Sequence, residues 1–547
     1  MTEKPEDPKQ DEDYVYLFDT TLRDGAQMQG VDFSVPDKIA ISEALDAIGL
    51  DYIEGGWPGA NPTDTAFFEA PPAFKRARFV AFGMTRRSGR SAENDPGLAM
   101  VVGSKTDAVC IFGKTWDFHV DVALQIPLEE NLAMIADSVG LARKKRGEAM
   151  FDAEHFFDGY KANKAYALDC IKAAHGAGAR WIVLCDTNGG TLPHEITQIV
   201  GEVAQVIPGS ELGIHAHNDT GNAVANSLAA LRAGVRQVQG TLNGLGERCG
   251  NADLVTLIPS LMLKTDFKIG VSEAQLSQLT HVSRLLDDRL NRTPDRHAPY
   301  VGESAFAHKG GAHVSAVEKD PRTYEHIEPE LVGNRRHIVV SDQSGRANIL
   351  ARIADLGIEI DNKDPKVGQL VDEVKQQEFL GFAYDGAEAS FELMVRRALG
   401  GVPDYFKIER FRVMDERRWS AKGTLVTESE ATVMLSIAGV SSYQVANGNG
   451  PVNALDIALR KALVPVFPEL EDIHLVDYKV RILTPQAGTR AVTRVMIEST
   501  DGSGRRWTTV GVSENVIDAS FNALRDGYRW KLMRDGADPN PVPSPKT

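Results

Sequence analysis

The chain has 547 residues, 42% of them hydrophobic and 25% charged, with a formal net charge of −16. That length exceeds one ordinary domain, and the balance is that of a soluble globular protein. The excess of acid over base argues against nucleic acid and anionic membrane surfaces as partners.

The four cysteines, Cys110, Cys170, Cys185 and Cys249, form no CxxC pair, and their scatter points to a reducing compartment. The N-terminal MTEKPEDPKQDED lacks the apolar run of a signal peptide. No uninterrupted apolar run approaches the ~18 residues of a membrane span. The expectation is a cytoplasmic protein.

Residues 1–13 read as a disordered tail. A rhythm then begins with VYLFD (15–19) and continues through DYIEGGWP (51–58), RFVAFGMT (78–85), DAVCIFGKT (107–115) and AMFDAEHF (149–156). WIVLCDTNGG (181–190), ELGIHAHND (211–219) and VRQVQGTLNG (235–244) complete it. Amphipathic stretches such as PDKIAISEALDAIGL (36–50) and ANKAYALDCIKAAHGAGA (162–179) separate the strands. Eight strand–helix repeats match an α/β fold of the TIM (β/α)₈ type, which takes about 250 residues. This predicts a catalytic barrel over 14–270. The predicted strands turn polar at their C-terminal ends, at Asp24, Glu54, Thr85, Lys114, Glu154, Asp186, His215, His217 and Asn243. That end is where such barrels gather catalytic groups.

Beyond residue 270 the rhythm stops. SEAQLSQLTHVSRLLDDRL (272–290), HIVVSDQSGRANILARIADLGI (337–358) and DPKVGQLVDEVKQQEFLGF (364–382) suggest a helical subdomain over 271–400. LGGVPDY (399–405) reads as a linker. From 405 to 530 the chain alternates like half-exposed antiparallel strands punctuated by two helices, a separate α+β domain. The Pro-rich end, 536–547, reads as a flexible tail.

HAH is the most informative triplet. Side chains at i and i+2 share one face of a strand and diverge on a helix. On a seventh barrel strand, His215 and His217 both face the mouth. Two imidazoles on one face suit a divalent cation, with a third ligand from elsewhere; the plainer alternative is two polar residues hydrogen-bonded at a strand end. Barrel closure brings the loop after strand 1 beside strands 7 and 8, so Asp24 can complete a two-histidine, one-carboxylate set. Asp24 also precedes Gly25 in a natural turn pair.

DTTLRDGAQ (19–27), LCDTNGG (184–190), HAHND (215–219) and GLGERCGN (244–251) together resemble the DRE-type TIM-barrel metalloenzymes. The helical region and C-terminal domain are similar to those of the 2-isopropylmalate and citramalate synthases. IFGKTWDFHV (111–120) and the segment 302–334 resemble the citramalate branch. The resemblance implies a Claisen-type condensation of acetyl-CoA, as co-substrate, with pyruvate, followed by thioester hydrolysis, in isoleucine biosynthesis. The enzyme class implied is an acyltransferase.

It implies a metal (Mg, Mn or Zn) on Asp24, His215 and His217, with Asn251 as ligand or support. Arg23 would stabilise the developing oxyanion and Thr187 would bind the substrate carboxylate. Glu154 would take the acetyl methyl proton, with Asp152 and His155 as rivals. Such a weak acid yields only where the enolate is stabilised and water excluded. His313 and Tyr324 are expected to reach the site from the partner subunit of a homodimer, with His308 the rival of His313. Glu247 reads as a loop organiser. NGLGERCG (243–250) reads as a loop that lets CoA approach the backbone, and Met84 and Phe112 as walls around the pyruvate methyl. The C-terminal domain would bind an amino-acid effector, isoleucine. The alternatives are 2-isopropylmalate synthase, homocitrate synthase, a lyase on the same barrel, and a non-catalytic amino-acid sensor.

Overall fold

The computed structural model describes residues 12–308, 311–338, 346–358, 360–361, 364–419 and 421–541. Of the predicted tails over 1–13 and 536–547, residues 1–11 and 542–547 fall outside the described residues. The chain divides into two compact units, residues 1–306 with 326–336, and residues 307–325 with 337–547.

The first unit is a closed parallel barrel with strands in sequence order. They are β1 (Tyr16–Asp19), β2 (Tyr52–Glu54), β3 (Arg78–Met84) and β4 (Ala108–Lys114), then β5 (Ala149–Glu154), β6 (Trp181–Asp186), β7 (Leu212–Ala216) and β8 (Gln237–Gly240). All eight expected strands are present. Parallel strands covered by helices are buried on both faces, so they read as near-continuous apolar runs; WIVLCD is buried throughout. Closure pairs Asp19 of β1 with Gly240 of β8. In β7, His215 lies opposite Cys185 of β6 and Gln239 of β8.

Helix ends follow local chemistry. Ser34 and Asp37 form a capping box at the start of Val35–Ile48, and Gly49, at φ 97°, ends it in the left-handed conformation. The helices Glu273–Leu276 and Leu279–Arg289 stay with the barrel, because Leu276, Leu279, Val282 and Leu286 bury into its core. The stretch read as one helical subdomain, 271–400, is therefore shared between the two units.

In the second unit, β9 (Ala307–His308) and β10 (His337–Ile338) pair in parallel. Helices Arg346–Asp355, Pro365–Phe379 and Glu388–Ala398 follow. Two three-stranded antiparallel sheets come next, β11 (Lys407–Trp419), β12 (Leu425–Ile437) and β13 (Val440–Gly448), then β14 (His474–Ile482), β15 (Thr493–Thr500) and β16 (Arg506–Ser513). β13, VSSYQVANG, is absent from the sequence-based reading because its polar composition hides the alternation. Helices Pro451–Leu463 and Val516–Arg534 cover one face of the sheets.

Candidate active site

The loop after β1 folds tightly, since the Thr20 carbonyl accepts from the amides of Arg23, Asp24 and Gly25. This turn aims Arg23 and Asp24 over the barrel mouth. Asp24 Oδ2 lies 3.1 Å from His215 Nε2 and 3.8 Å from His217 Nε2. The two imidazole Nε2 atoms are 3.3 Å apart. All three side chains are buried and offer ligand atoms within 4.8 Å of one another. The same-face prediction for HAH thus holds, with the carboxylate expected from the far end of the barrel sequence.

The donor set fits a divalent cation. Asp24 Oδ1, His217 Nδ1 and Asn251 Oδ1 are buried without a protein hydrogen-bond partner. Asn251 is tied beside the site by a backbone bridge to His217, and its Nδ2 donates to the Leu245 carbonyl. Its carbonyl oxygen is left without a protein partner; such a hard oxygen suits Mg²⁺ or Mn²⁺, while the imidazoles suit Zn²⁺ equally.

Electrostatics keep Asp24 ionised. Burial pushes Asp24 up, but the Arg23 guanidinium and His215 outweigh it and hold the carboxyl well below its ordinary range. Burial opposes protonation of His215, yet its bond to Asp24 raises it overall. Burial and the neighbouring His215 press His217 down to about 3, so it stays neutral.

Arg23 is clamped. Its Nε donates to Glu54 Oε2 at 2.7 Å, its Nη1 lies 3.3 Å from Asp24 Oδ2, and its guanidinium sits 3.9 Å over the Phe82 ring. Thr20 Oγ1 donates to the same Glu54 oxygen at 2.7 Å. Lys38 Nζ, itself buried, donates to the carbonyls of Leu22 and Gly55 and so ties the two loops that carry Arg23 and Glu54. The sequence reading marks Glu54 only as a polar strand end and misses Thr20, Lys38 and Phe82.

A cleft of about 610 Å³ opens over these groups, lined by Arg23, Asp24, Glu154, Thr187, His215 and His217 among others. Glu154 ends β5 and pairs with Lys114 Nζ at 2.5 Å. Thr187 Oγ1 accepts from the His155 amide at 2.8 Å, which leaves its own hydroxyl proton to donate into the cleft. His155 adopts a left-handed backbone, φ 57°. The expected methyl pocket is revised. Phe112 lines the cleft, but Phe82 and Trp57 stand with it rather than Met84. Phe82 and Phe112 stack at 5.1 Å, and Trp57 meets both edge-on.

Three family descriptions cover the chain. Residues 14–286 match "HMGL-like", 300–378 "Homocitrate synthase post-HMGL domain-like" and 385–531 "LeuA allosteric (dimerisation) domain". The chain is 52% identical over 523 residues to an (R)-citramalate synthase of Aquifex aeolicus, covering 95% of this chain and 98% of the relative. It is 51% identical over 522 residues to that of Geobacter sulfurreducens, again covering 95% and 98%. The chain belongs to the citramalate synthase family. A 2-isopropylmalate synthase of Methanocaldococcus jannaschii is more distant, 32% identical over 526 residues and 95% of each chain.

Within this family frame, the remaining expected residues divide. His313 and Tyr324 belong to the second unit, where their rings stack at 4.1 Å and both are exposed. His308 is buried, its Nε2 3.1 Å from Glu325 Oε1. His308 is thus held inside the second unit, while the His313 ring is exposed. The Gly-rich loop is shaped by close internal contacts. A Cβ on Gly246, at φ 155°, would fall 2.1 Å from Asn251 Nδ2, and one on Gly250 would fall 2.0 Å from the Gly244 carbonyl. These glycines let the loop fold onto Asn251. Glu247 is largely exposed at the cleft rim and its carbonyl accepts from Gly250 N, a turn within the loop.

Among the described residues no helix is long and apolar enough to cross a membrane.

Proposed function

We propose that this chain condenses acetyl-CoA with pyruvate in a metal-dependent, Claisen-type reaction and hydrolyses the thioester, releasing (R)-citramalate and CoA. The observation that carries the reading is the convergence of Asp24, His215 and His217, with Asn251 beside them, in a chain similar to (R)-citramalate synthases over nearly its whole length.

Asp24, His215, His217 and Asn251 would hold the divalent cation. When bound, that ion supplies Lewis-acid polarisation of the 2-oxo group. Arg23, fixed by Glu54 and stacked on Phe82, stabilises the negative charge that develops on the same oxygen during attack. Thr187 donates to the pyruvate carboxylate. Glu154, positioned by Lys114, removes the methyl proton of acetyl-CoA. The Trp57, Phe82 and Phe112 rings crowd the wall of the cleft, which supports a methyl-sized 2-oxo acid over a branched one. His313 and Tyr324, supplied by a second copy of the chain, assist enolisation or hydrolysis.

The second unit supports a homodimer with an allosteric amino-acid site. Its sheets expose Met414, Trp419, Tyr443, Val480 and Ile482, apolar surface of the kind a subunit interface covers. The reading takes isoleucine as the inhibitor, isoleucine biosynthesis as the pathway and the cytoplasm as the location.

Free-thiol release from acetyl-CoA, measured in parallel with pyruvate, 2-oxoisovalerate and 2-oxoglutarate, tests the substrate. Pyruvate is expected to dominate; a preference for 2-oxoisovalerate would make the chain a 2-isopropylmalate synthase.

A further inference from the structure

The far side of the His215 ring meets a buried amide, which in turn reaches a buried carboxylate, and the mechanism above leaves both without a role. Gln239 stands opposite His215 in the β7–β8 register and is 1% exposed. Its Oε1 lies 2.9 Å from His215 Nδ1, and its Nε2 donates to Asp152 Oδ1 at 3.0 Å. Asp152 is 4% exposed and comes from β5, three strands away around the barrel.

The chemistry of the three groups leaves one arrangement. An ionised carboxylate only accepts, so the Gln239 amide turns its NH₂ toward Asp152 and its carbonyl oxygen toward His215. That oxygen also only accepts, so His215 Nδ1 must carry the proton. The nitrogen left to bind a cation is Nε2, the atom that already faces Asp24 and His217.

We propose that Gln239 and Asp152 are positioning residues that fix the orientation and tautomer of His215, and thereby set how tightly the site holds its divalent cation. This rests on the metal reading of the site. It also gives Asp152 a use other than that of a base beside Glu154. Partners behind a metal-binding imidazole typically change metal affinity by about 10–100-fold.

The test uses the full-length protein stripped of metal. Mn²⁺ is titrated and its free fraction read by electron paramagnetic resonance, with thermal unfolding of the metal-free protein recorded in parallel. Gln239→Leu, which neither accepts nor donates, is expected to weaken Mn²⁺ binding about 10–100-fold while unfolding stays cooperative. Gln239→Glu, sharing one proton with Asp152, still offers His215 an acceptor and is expected to restore most of the affinity. Gln239→Met, flexible and of similar length, is read by the same criterion, so that a misfolded leucine variant does not decide the outcome.

Wild-type and His217→Ala titrations separate the two levels of the claim. If the wild type binds no Mn²⁺, the metal reading itself fails. If the wild type binds and the Leu and Met variants bind as tightly, the relay alone is overturned. It is equally overturned if they bind weakly and Gln239→Glu restores nothing, because the loss would then reflect packing.

Discussion

At the N-terminal end of the barrel, Tyr14 donates to Asp51 at 2.7 Å, and Arg76 reaches both Asp51 and the Tyr14 hydroxyl. Tyr52 donates to Glu148, which also pairs with Arg78, while Trp181 Nε1 donates to the Tyr52 hydroxyl at 3.2 Å. At the opposite end, Asp24 Oδ1, Glu54 Oε1, His217 Nδ1 and Asn251 Oδ1 are buried without a protein partner. Both ends bury polar groups, but the lower-end side chains named above partner one another and leave Gln237 Oε1 as a single unpartnered atom there, whereas four such atoms cluster at the mouth. An unsatisfied buried group costs about 1–3 kcal/mol. A chain that tolerates several in one place is shaped there for something other than folding. In this architecture the lower face carries stability and the upper face carries chemistry.

The comparison breaks most sharply at the mouth. His217→Ala removes one of three clustered ligands, and turnover is expected to fall below detection together with Mn²⁺ binding; thiol release at the wild-type rate would remove the metal from the account. Glu154→Gln is expected to lower kcat by about 10²–10⁴-fold, with pyruvate still bound and exchange of the acetyl methyl protons with solvent stopped. Persistent exchange would pass the role of base to a neighbour.

Acidity gives a graded test. His215 is raised above its ordinary value, and its proton must leave Nε2 before a cation binds. Affinity for Mn²⁺ should therefore be full above that raised value and fall about tenfold per pH unit below it. His217, at about 3, adds no second proton over the accessible range. A slope of about a hundredfold per unit would mean that both rings compete.

The smallest effect belongs to the floor. Tyr52→Phe leaves the Trp181 N–H without its acceptor and is expected to cost about 1–3 kcal/mol of stability. Denaturant unfolding should shift while kcat and KM stay unchanged. A fall in kcat at intact stability would erase the distinction between the two ends.

The mouth was the more legible end in the sequence. Alternation placed His215 and His217 on one face, and strand counting closed the barrel onto Asp24. What alternation cannot show is which distant side chain turns toward which. Glu54 as the anchor of Arg23, and Gln239 as the acceptor behind His215, depend on contacts between strands far apart in sequence. Gln239, a buried glutamine in VRQVQG, carries the one available signal, since a buried amide with both ends satisfied points to specific partners. Phe82 displaced Met84 from the cleft wall because depth along a strand is not written in its period. β13 stayed hidden because its side chains are mostly exposed and polar. Sequence does not show that Glu325, seventeen residues on from His308, holds the His308 ring.

An anomalous difference map from crystals of the full-length protein soaked in Mn²⁺ and pyruvate would test the metal centre most directly. One strong peak is expected within bonding distance of Asp24, His215 and His217, with pyruvate oxygens on its open side. A peak elsewhere, or Asp24 turned away from both imidazoles, would contradict it.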